Sequence, residues 1–193
     1  AAISGILSLE DAMHVVVARS RLMARTSGNG GMALVELSDS DLLDRLAPFH
    51  GKLDIAANNS PRASVISGNV NELETVLESL TADGIFCRRI KVDVASHGPQ
   101  MADLAPQLAA ELSGLAPRAP HTPMISTVHG KISEEESFGA SYWARNLREP
   151  VRFMQAIEAA ITAGATAYVE LGPNPVLLTS IEQTLSHHEA GGT

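Results

Sequence analysis

The sequence predicts an α/β fold made of two unlike parts, and two observations carry that expectation. Between residues 27 and 92 the apolar patterns alternate as strand, helix, strand, strand, helix, strand, the ferredoxin-like βαββαβ order. Further on, apolar strand segments at Met124–Val128 and Ala167–Leu171 are joined through a helix, as in a piece of parallel sheet. A parallel sheet buries both faces, which two strands cannot do alone, so neighbours are expected that these residues do not supply.

Each element has its own signal. Ser8 caps a first helix, with Asp11 three residues on as in a capping box, and the helix runs to about Met23–Arg25. At about 100° per residue, Ala12, Val15, Val16, Leu22 and Met23 share a face with Arg19 at its centre, while His14, Arg21 and Arg25 lie elsewhere and are solvated. An arginine centred in an apolar stripe is costly unless an anion meets it. The glycine-rich loop Ser27–Gly31 reads as a mobile turn in preference to a phosphate cradle. Met32–Leu37 is a strand, and Asp39–Ala47 a helix capped by Ser38. Leu53–Ala57 is a strand, Asn58–Arg62 a turn and Ala63–Ser67 a strand. Asn71–Ala82 is a helix with the stripe Leu73, Val76, Leu77 and Leu80, ended by Gly84 in a left-handed cap. Phe86–Val92 closes the unit, with Phe86, Arg88, Ile90 and Val92 on one side.

The remainder is a helix over Met101–Leu112 bent at Pro106, a proline-rich linker over Pro117–Pro123, and the strand Met124–Val128 ended by Gly130. Glu134-Glu135-Glu136 reads as an acidic surface. A helix starting at Pro150 buries Phe153, Ile157, Ala160 and Ile161 and stops at Gly164. After the strand Ala167–Leu171, the turn Gly172-Pro173-Asn174-Pro175 leads into a last helix to about Leu185, with a disordered tail from Ser186. The expected division is residues 1–26 as the helical start of the α/β part, 27–92 as the ferredoxin-like part, 93–185 as the rest of the α/β part and 186–193 as tail or linker.

Bulk properties exclude several function classes. Of 193 residues 45% are apolar and only 4% aromatic, so Val, Leu, Ile, Ala and Met must build the core. The net charge of -8 argues against nucleic acid, which needs a basic face. No apolar run approaches a membrane span. The single cysteine, Cys87, excludes an internal disulfide and suits a reducing cytoplasm. The first residues, Ala1-Ala2-Ile3, lack a Met, which points to processing or to excision from something longer.

The chemistry centres on Val92-Asp93-Val94-Ala95-Ser96-His97-Gly98-Pro99. It places His97 in a loop between a strand and a helix, where a neutral imidazole serves as a general base and the positive end of the helix keeps it unprotonated. The bland alternative is a polar loop histidine. No Gly-x-Ser-x-Gly nucleophile elbow occurs in the chain. Cys87 reads as an inert thiol, and His187-His188 lacks the further ligands a metal requires.

Several segments, in order, resemble the acyltransferase domain of modular polyketide synthases, a family related to malonyl-CoA:acyl-carrier-protein transacylases. They are Gly5–Ala12, Arg19-Ser20-Arg21, Gly31-Met32-Ala33, Asn59–Arg62, Val65–Gly68, Val94–His97, Tyr142–Arg148, Pro150–Phe153 and Glu170–Leu177. The resemblance implies a hydrolase-like α/β subdomain with a ferredoxin-like subdomain inserted in it. It implies transfer of a malonyl-type group from CoA, through an acyl-serine, to the phosphopantetheine of an acyl carrier protein. No bound cofactor is implied, and the partners are acyl-CoA, the carrier protein and neighbouring synthase domains. The serine of the family's Gly-His-Ser-x-Gly motif would precede residue 1, so this chain alone is expected to be inactive.

By motif position His97 is the base, and Arg19 pairs with the substrate carboxylate, the bland alternative being an internal salt bridge. Val94 and Ser96 bear on substrate choice, because small residues before the histidine resemble the methylmalonyl-selective pattern. Asn59 is a candidate pantetheine contact or a turn residue. A main-chain carbonyl between Asn146 and Arg152 orients the imidazole by analogy, with Asp93 as the alternative. Asn174 departs from the histidine common in the family. A competing function is a non-catalytic ferredoxin-like binding or assembly module.

Overall fold

Two serines start two helices in the same way. Ser8 Oγ accepts from the Asp11 backbone N–H at 3.0 Å while donating to the Asp11 carboxylate at 2.8 Å, opening α1 (Leu9–Met23). Ser38 and Asp41 repeat the arrangement at 3.2 and 2.6 Å for α2 (Asp39–Leu46). Each cap satisfies a backbone donor that the helix cannot, worth about 1 kcal/mol. The computed structural model describes residues 1–133 and 138–191, so the acidic run Glu134–Glu136 lies outside the described residues.

The other elements are β1 (Gly30–Val35), β2 (Leu53–Ser60), β3 (Ala63–Asn69), α3 (Val70–Ala82) and β4 (Cys87–Arg89), then α4 (Ala105–Glu111), the short hairpin β5 (Ile125–Ser126) and β6 (Lys131–Ile132), α5 (Ala140–Arg148), β7 (Val151–Arg152), α6 (Phe153–Thr162) and α7 (Leu178–Gly191). The main sheet has the order β4-β1-β3-β2-β7. Its first four strands are antiparallel in the ferredoxin-like order. β7 extends the sheet by pairing parallel to β2, Ala57 with Val151 and Asn58 with Arg152.

The α3 stripe is buried as expected, with Leu73, Val76, Leu77 and Leu80 packed against Leu42, Leu53 and Ile66. Gly84 takes the left-handed conformation, φ +78°, that closes α3. A second core joins α1, α4 and α5 through Leu22, Leu108, Leu112, Phe138 and Leu147. Fully burying a side chain of this size stabilises by about 1.5–3 kcal/mol, so these two clusters fix how the elements sit.

Several expectations are corrected. The closing strand spans only Cys87–Arg89, and Phe86 and Val92 are exposed. β2 continues through Ser60, so Asn58 and Asn59 belong to a strand, and its irregular pairing with β3 shows why their polarity resembled a turn. Pro106 does not bend a helix: a 3-10 turn at Pro99–Met101 comes first, and Pro106 lies in the opening turn of α4, where its missing N–H costs nothing. Pro150 precedes β7, and α6 starts at Phe153. Ala167–Leu171 forms no strand, and Val169 and Leu171 stand 79% and 88% exposed, as expected of an apolar segment without ladder partners. The final helix runs on to Gly191, through the stretch expected to be a disordered tail. Among the described residues no helix is long and apolar enough to cross a membrane.

Candidate active site

The last turn of α5 gathers the candidate residues. His97 lies in the segment between β4 and the Pro99–Met101 turn, and its backbone N–H donates to the Leu147 carbonyl at 3.2 Å. Its Nδ1 is 2.8 Å from the Glu149 carbonyl oxygen. A carbonyl only accepts, so Nδ1 carries the hydrogen and Nε2 keeps a free lone pair. Of the two orienters open in the sequence, the main-chain carbonyl is the one present. Asp93 is engaged elsewhere: it accepts from Ser27 Oγ, and its backbone carbonyl accepts from the Gly28 N–H at 2.8 Å.

His97 has φ +60°, the sole positive value among the described non-glycine residues. That left-handed backbone costs of order 1 kcal/mol and persists where the surroundings over-determine it. Here the Leu147 carbonyl of α5 and the carbonyl of its cap residue Glu149 do so. Gly98 completes the seat, because a Cβ there would lie 2.6 Å from Ser67 Oγ on β3. The glycine loop forms a turn, as read, and Gln100 tethers it: its Nε2 donates to the Asn29 carbonyl at 2.7 Å and to Asn69 Oδ1 at 2.9 Å.

Burial holds the His97 pKa below the ordinary 6.5, the Glu149 carbonyl acts in the opposite sense, and the charge of Arg19 lowers it further. The dipole of a following helix is not the cause, since only a three-residue 3-10 turn follows His97. The neutral imidazole thus arises from a dry setting and a nearby cation.

Arg19 sits at the edge of the α1 stripe and not at its centre. Val15, Ala18 and Leu22 are the buried residues, and Val16 is exposed. Its Nη1 donates to Asn146 Oδ1 at 2.6 Å. Burial lowers its pKa, and among the described residues no carboxylate lies within ion-pair distance of it. The internal salt bridge weighed from the sequence is therefore absent from the described residues. A desolvated guanidinium with a neutral partner retains its charge and free donors for an anionic ligand.

The same turn is braced from outside. Arg145 grips the Glu149 carboxylate through two bonds of 2.7 and 3.0 Å, and its charge and hydrogen bonds lower the Glu149 pKa. Arg148 Nη2 donates to Asp54 on β2 at 2.6 Å.

Val94 and Ser96 flank buried Ala95 on the His97 segment, and both are half-buried. Asn59, half-buried on β2, is joined by no hydrogen bond to His97 or Arg19 among the described residues. Cys87 is half-buried, and burial raises its thiol pKa, consistent with an inert thiol. His187 and His188 lie exposed on α7, and no metal-ligating group of three occurs among the described residues. Sequence reasoning assigned no role to the Asn146 side chain. Its signal was a weak helix former placed in the last turn of an apolar-faced helix.

The profile of the acyl transferase domain family matches residues 1–192. The chain is 42% identical over 184 residues to polyketide synthase GfsB of Streptomyces halstedii, covering 95% of the chain and 3% of that protein. It is 40% identical over 190 residues to an erythronolide synthase of Saccharopolyspora erythraea, covering 98% of the chain and 5% of that protein. Its fold superimposes on the acyltransferase domain from module 8 of the salinomycin polyketide synthase with a TM-score of 0.94 at 35% identity, over 97% of this chain and 44% of that one. On the malonyl-CoA:acyl carrier protein transacylase FabD of Xanthomonas oryzae pv. oryzae the TM-score is 0.86 at 29% identity, over 95% and 60% of the two chains. The chain therefore spans a small fraction of the curated synthases and under half of the salinomycin chain.

Linkage fixes the pH behaviour of this site. An unfolded imidazole takes up its proton near 6.5, and the folded His97 does so only at lower pH. Acidification through that window therefore favours the unfolded state, and stability rises with pH across it. NMR titration of the His97 ring is expected to give a midpoint below 6.5, moving upward in Arg19→Ala. A midpoint above 6.5 contradicts the dry, cation-flanked setting.

Proposed function

The chain belongs to the acyl transferase domain family, and from that premise we propose that it supplies the base and the carboxylate-binding half of a polyketide synthase acyltransferase site. The observation that carries this reading is the convergence of His97 and Arg19 on one turn of α5. The nucleophile is a serine of a Gly-His-Ser-x-Gly segment that does not occur among these 193 residues.

In the first half-reaction His97 Nε2 takes the serine proton as the oxygen attacks the thioester carbonyl of a malonyl-type CoA. The acyl–oxygen bond forms, the carbon–sulfur bond breaks, and the imidazolium returns its proton to the CoA sulfur. In the second, His97 takes a proton from the phosphopantetheine thiol of an acyl carrier protein. The sulfur attacks the acyl-serine, and the serine oxygen leaves with the proton. The Glu149 carbonyl stabilises the imidazolium in both steps, a charge-assisted bond worth about 1.5–3 kcal/mol. No resident cofactor takes part.

Arg19 pairs with the carboxylate at the far end of the acyl group, which sets the acyl carbon against the nucleophile. Val94 and Ser96 line the space for an α-substituent, and their small size favours methylmalonyl over malonyl. Asn59 contacts the pantetheine arm. Exposed apolar side chains on α1 (Leu9, Met13, Val16, Val17), with Val169 and Leu171, form the surface on which the serine-bearing segment packs. A purely structural assembly module leaves a desolvated Arg19 and a neutral His97 without a task.

Three measurements test this reading. The 193-residue chain alone is expected to release no CoA from malonyl-CoA, and turnover contradicts it. In the full-length gene product, Arg19→Ala should lower kcat/KM for malonyl-CoA about a hundredfold more than for acetyl-CoA, as losing a buried charge partner predicts. Equal losses remove Arg19 from the carboxylate site. Ser96→Phe should shift the methylmalonyl-to-malonyl ratio toward malonyl by about tenfold, and an unchanged ratio refutes the steric role.

A further inference from the structure

We propose that Asn146 is the positioning residue of the carboxylate site, and that it acts by holding the Arg19 guanidinium through a neutral acceptor. The inference rests on the reading of Arg19 given above and extends it to a residue that touches no substrate.

Three observations carry it. First, the Arg19–Asn146 bond is short, 2.6 Å, and joins residues 127 apart in the sequence. Second, Arg19 is desolvated without a carboxylate in reach among the described residues. A long arginine side chain loses rotamer freedom when it is fixed. An acceptor already in place pays part of that before a ligand arrives. Third, Asn146 lies three residues before Glu149, on the turn whose carbonyls orient His97. One rigid turn therefore fixes both the guanidinium and the imidazole.

The amide is the informative feature. A guanidinium has five N–H donors and Asn146 accepts from one nitrogen, so the others stay free for a bidentate anion. An aspartate in the same place would hold Arg19 equally well and neutralise it. Such an internal pair competes with the substrate carboxylate for the same charge. Asparagine gives orientation and leaves the charge available.

The test compares Asn146→Asp, Asn146→Ala and Arg19→Ala in the full-length gene product, with malonyl-CoA and acetyl-CoA as the two probes. Asn146→Asp is expected to lower the malonyl-to-acetyl ratio of kcat/KM by about tenfold or more, with the malonyl loss falling mainly in KM. Asn146→Ala should lower the ratio in the same direction by a smaller factor, through lost orientation alone. If Arg19→Ala collapses the ratio and Asn146→Asp leaves it unchanged, the positioning role is overturned and the carboxylate site stands. If Arg19→Ala also leaves it unchanged, the site reading fails and this inference falls with it. Should Asn146→Asp not fold, Asn146→Ala decides, and an unchanged ratio there overturns the proposal.

Discussion

The C-terminal turn of α5 is the constraint on which the site depends. Within four residues it offers an amide oxygen to Arg19, a carbonyl to the His97 backbone, a second carbonyl to the His97 ring and a guanidinium to Asp54 of β2. Neither His97 nor Arg19 is placed by its own element alone. His97 sits on irregular chain after β4, and Arg19 reaches from the edge of α1. Packing of Leu147 and Tyr142 into the helical core holds the turn still. Parallel pairing of β7 with β2 ties the chain just beyond it to the antiparallel sheet.

This arrangement turns two costs into properties of the site. Withdrawing a guanidinium from water is unfavourable, and a neutral amide only partly offsets it. The deficit leaves Arg19 ready for an anion. Burial of His97 opposes its protonation, and the adjacent cation adds to that. The Glu149 carbonyl works in the opposite direction, at a helix end where partial negative charge collects. An imidazole kept neutral at rest, with stabilisation ready for a proton, suits the acid–base role proposed for it.

Much of the fold was legible because it rests on local signals. The two serine caps, the α3 stripe and the Gly84 cap are short-range patterns, and the structure contains each of them. Errors arose where tertiary context decides. Asn58 and Asn59 look like a turn but lie in a strand whose pairing with β3 is irregular. Ala167–Leu171 has the composition of a strand and no ladder partner among the described residues. Arg19 was found by helical phase, yet the phase put it at the centre of a stripe whose buried residues are Val15, Ala18 and Leu22. The role of Asn146 was not legible. A hydrogen bond across 127 residues has no local signature, and the motif containing Asn146 says nothing of what its side chain meets.

The most direct measurement of the account is the tautomer of His97, read from long-range proton–nitrogen correlations in the imidazole at neutral pH. The hydrogen bond to the Glu149 carbonyl predicts a protonated Nδ1 and a bare Nε2. A ring with its hydrogen on Nε2 would show that this turn does not orient the imidazole, and the shared turn would lose its meaning.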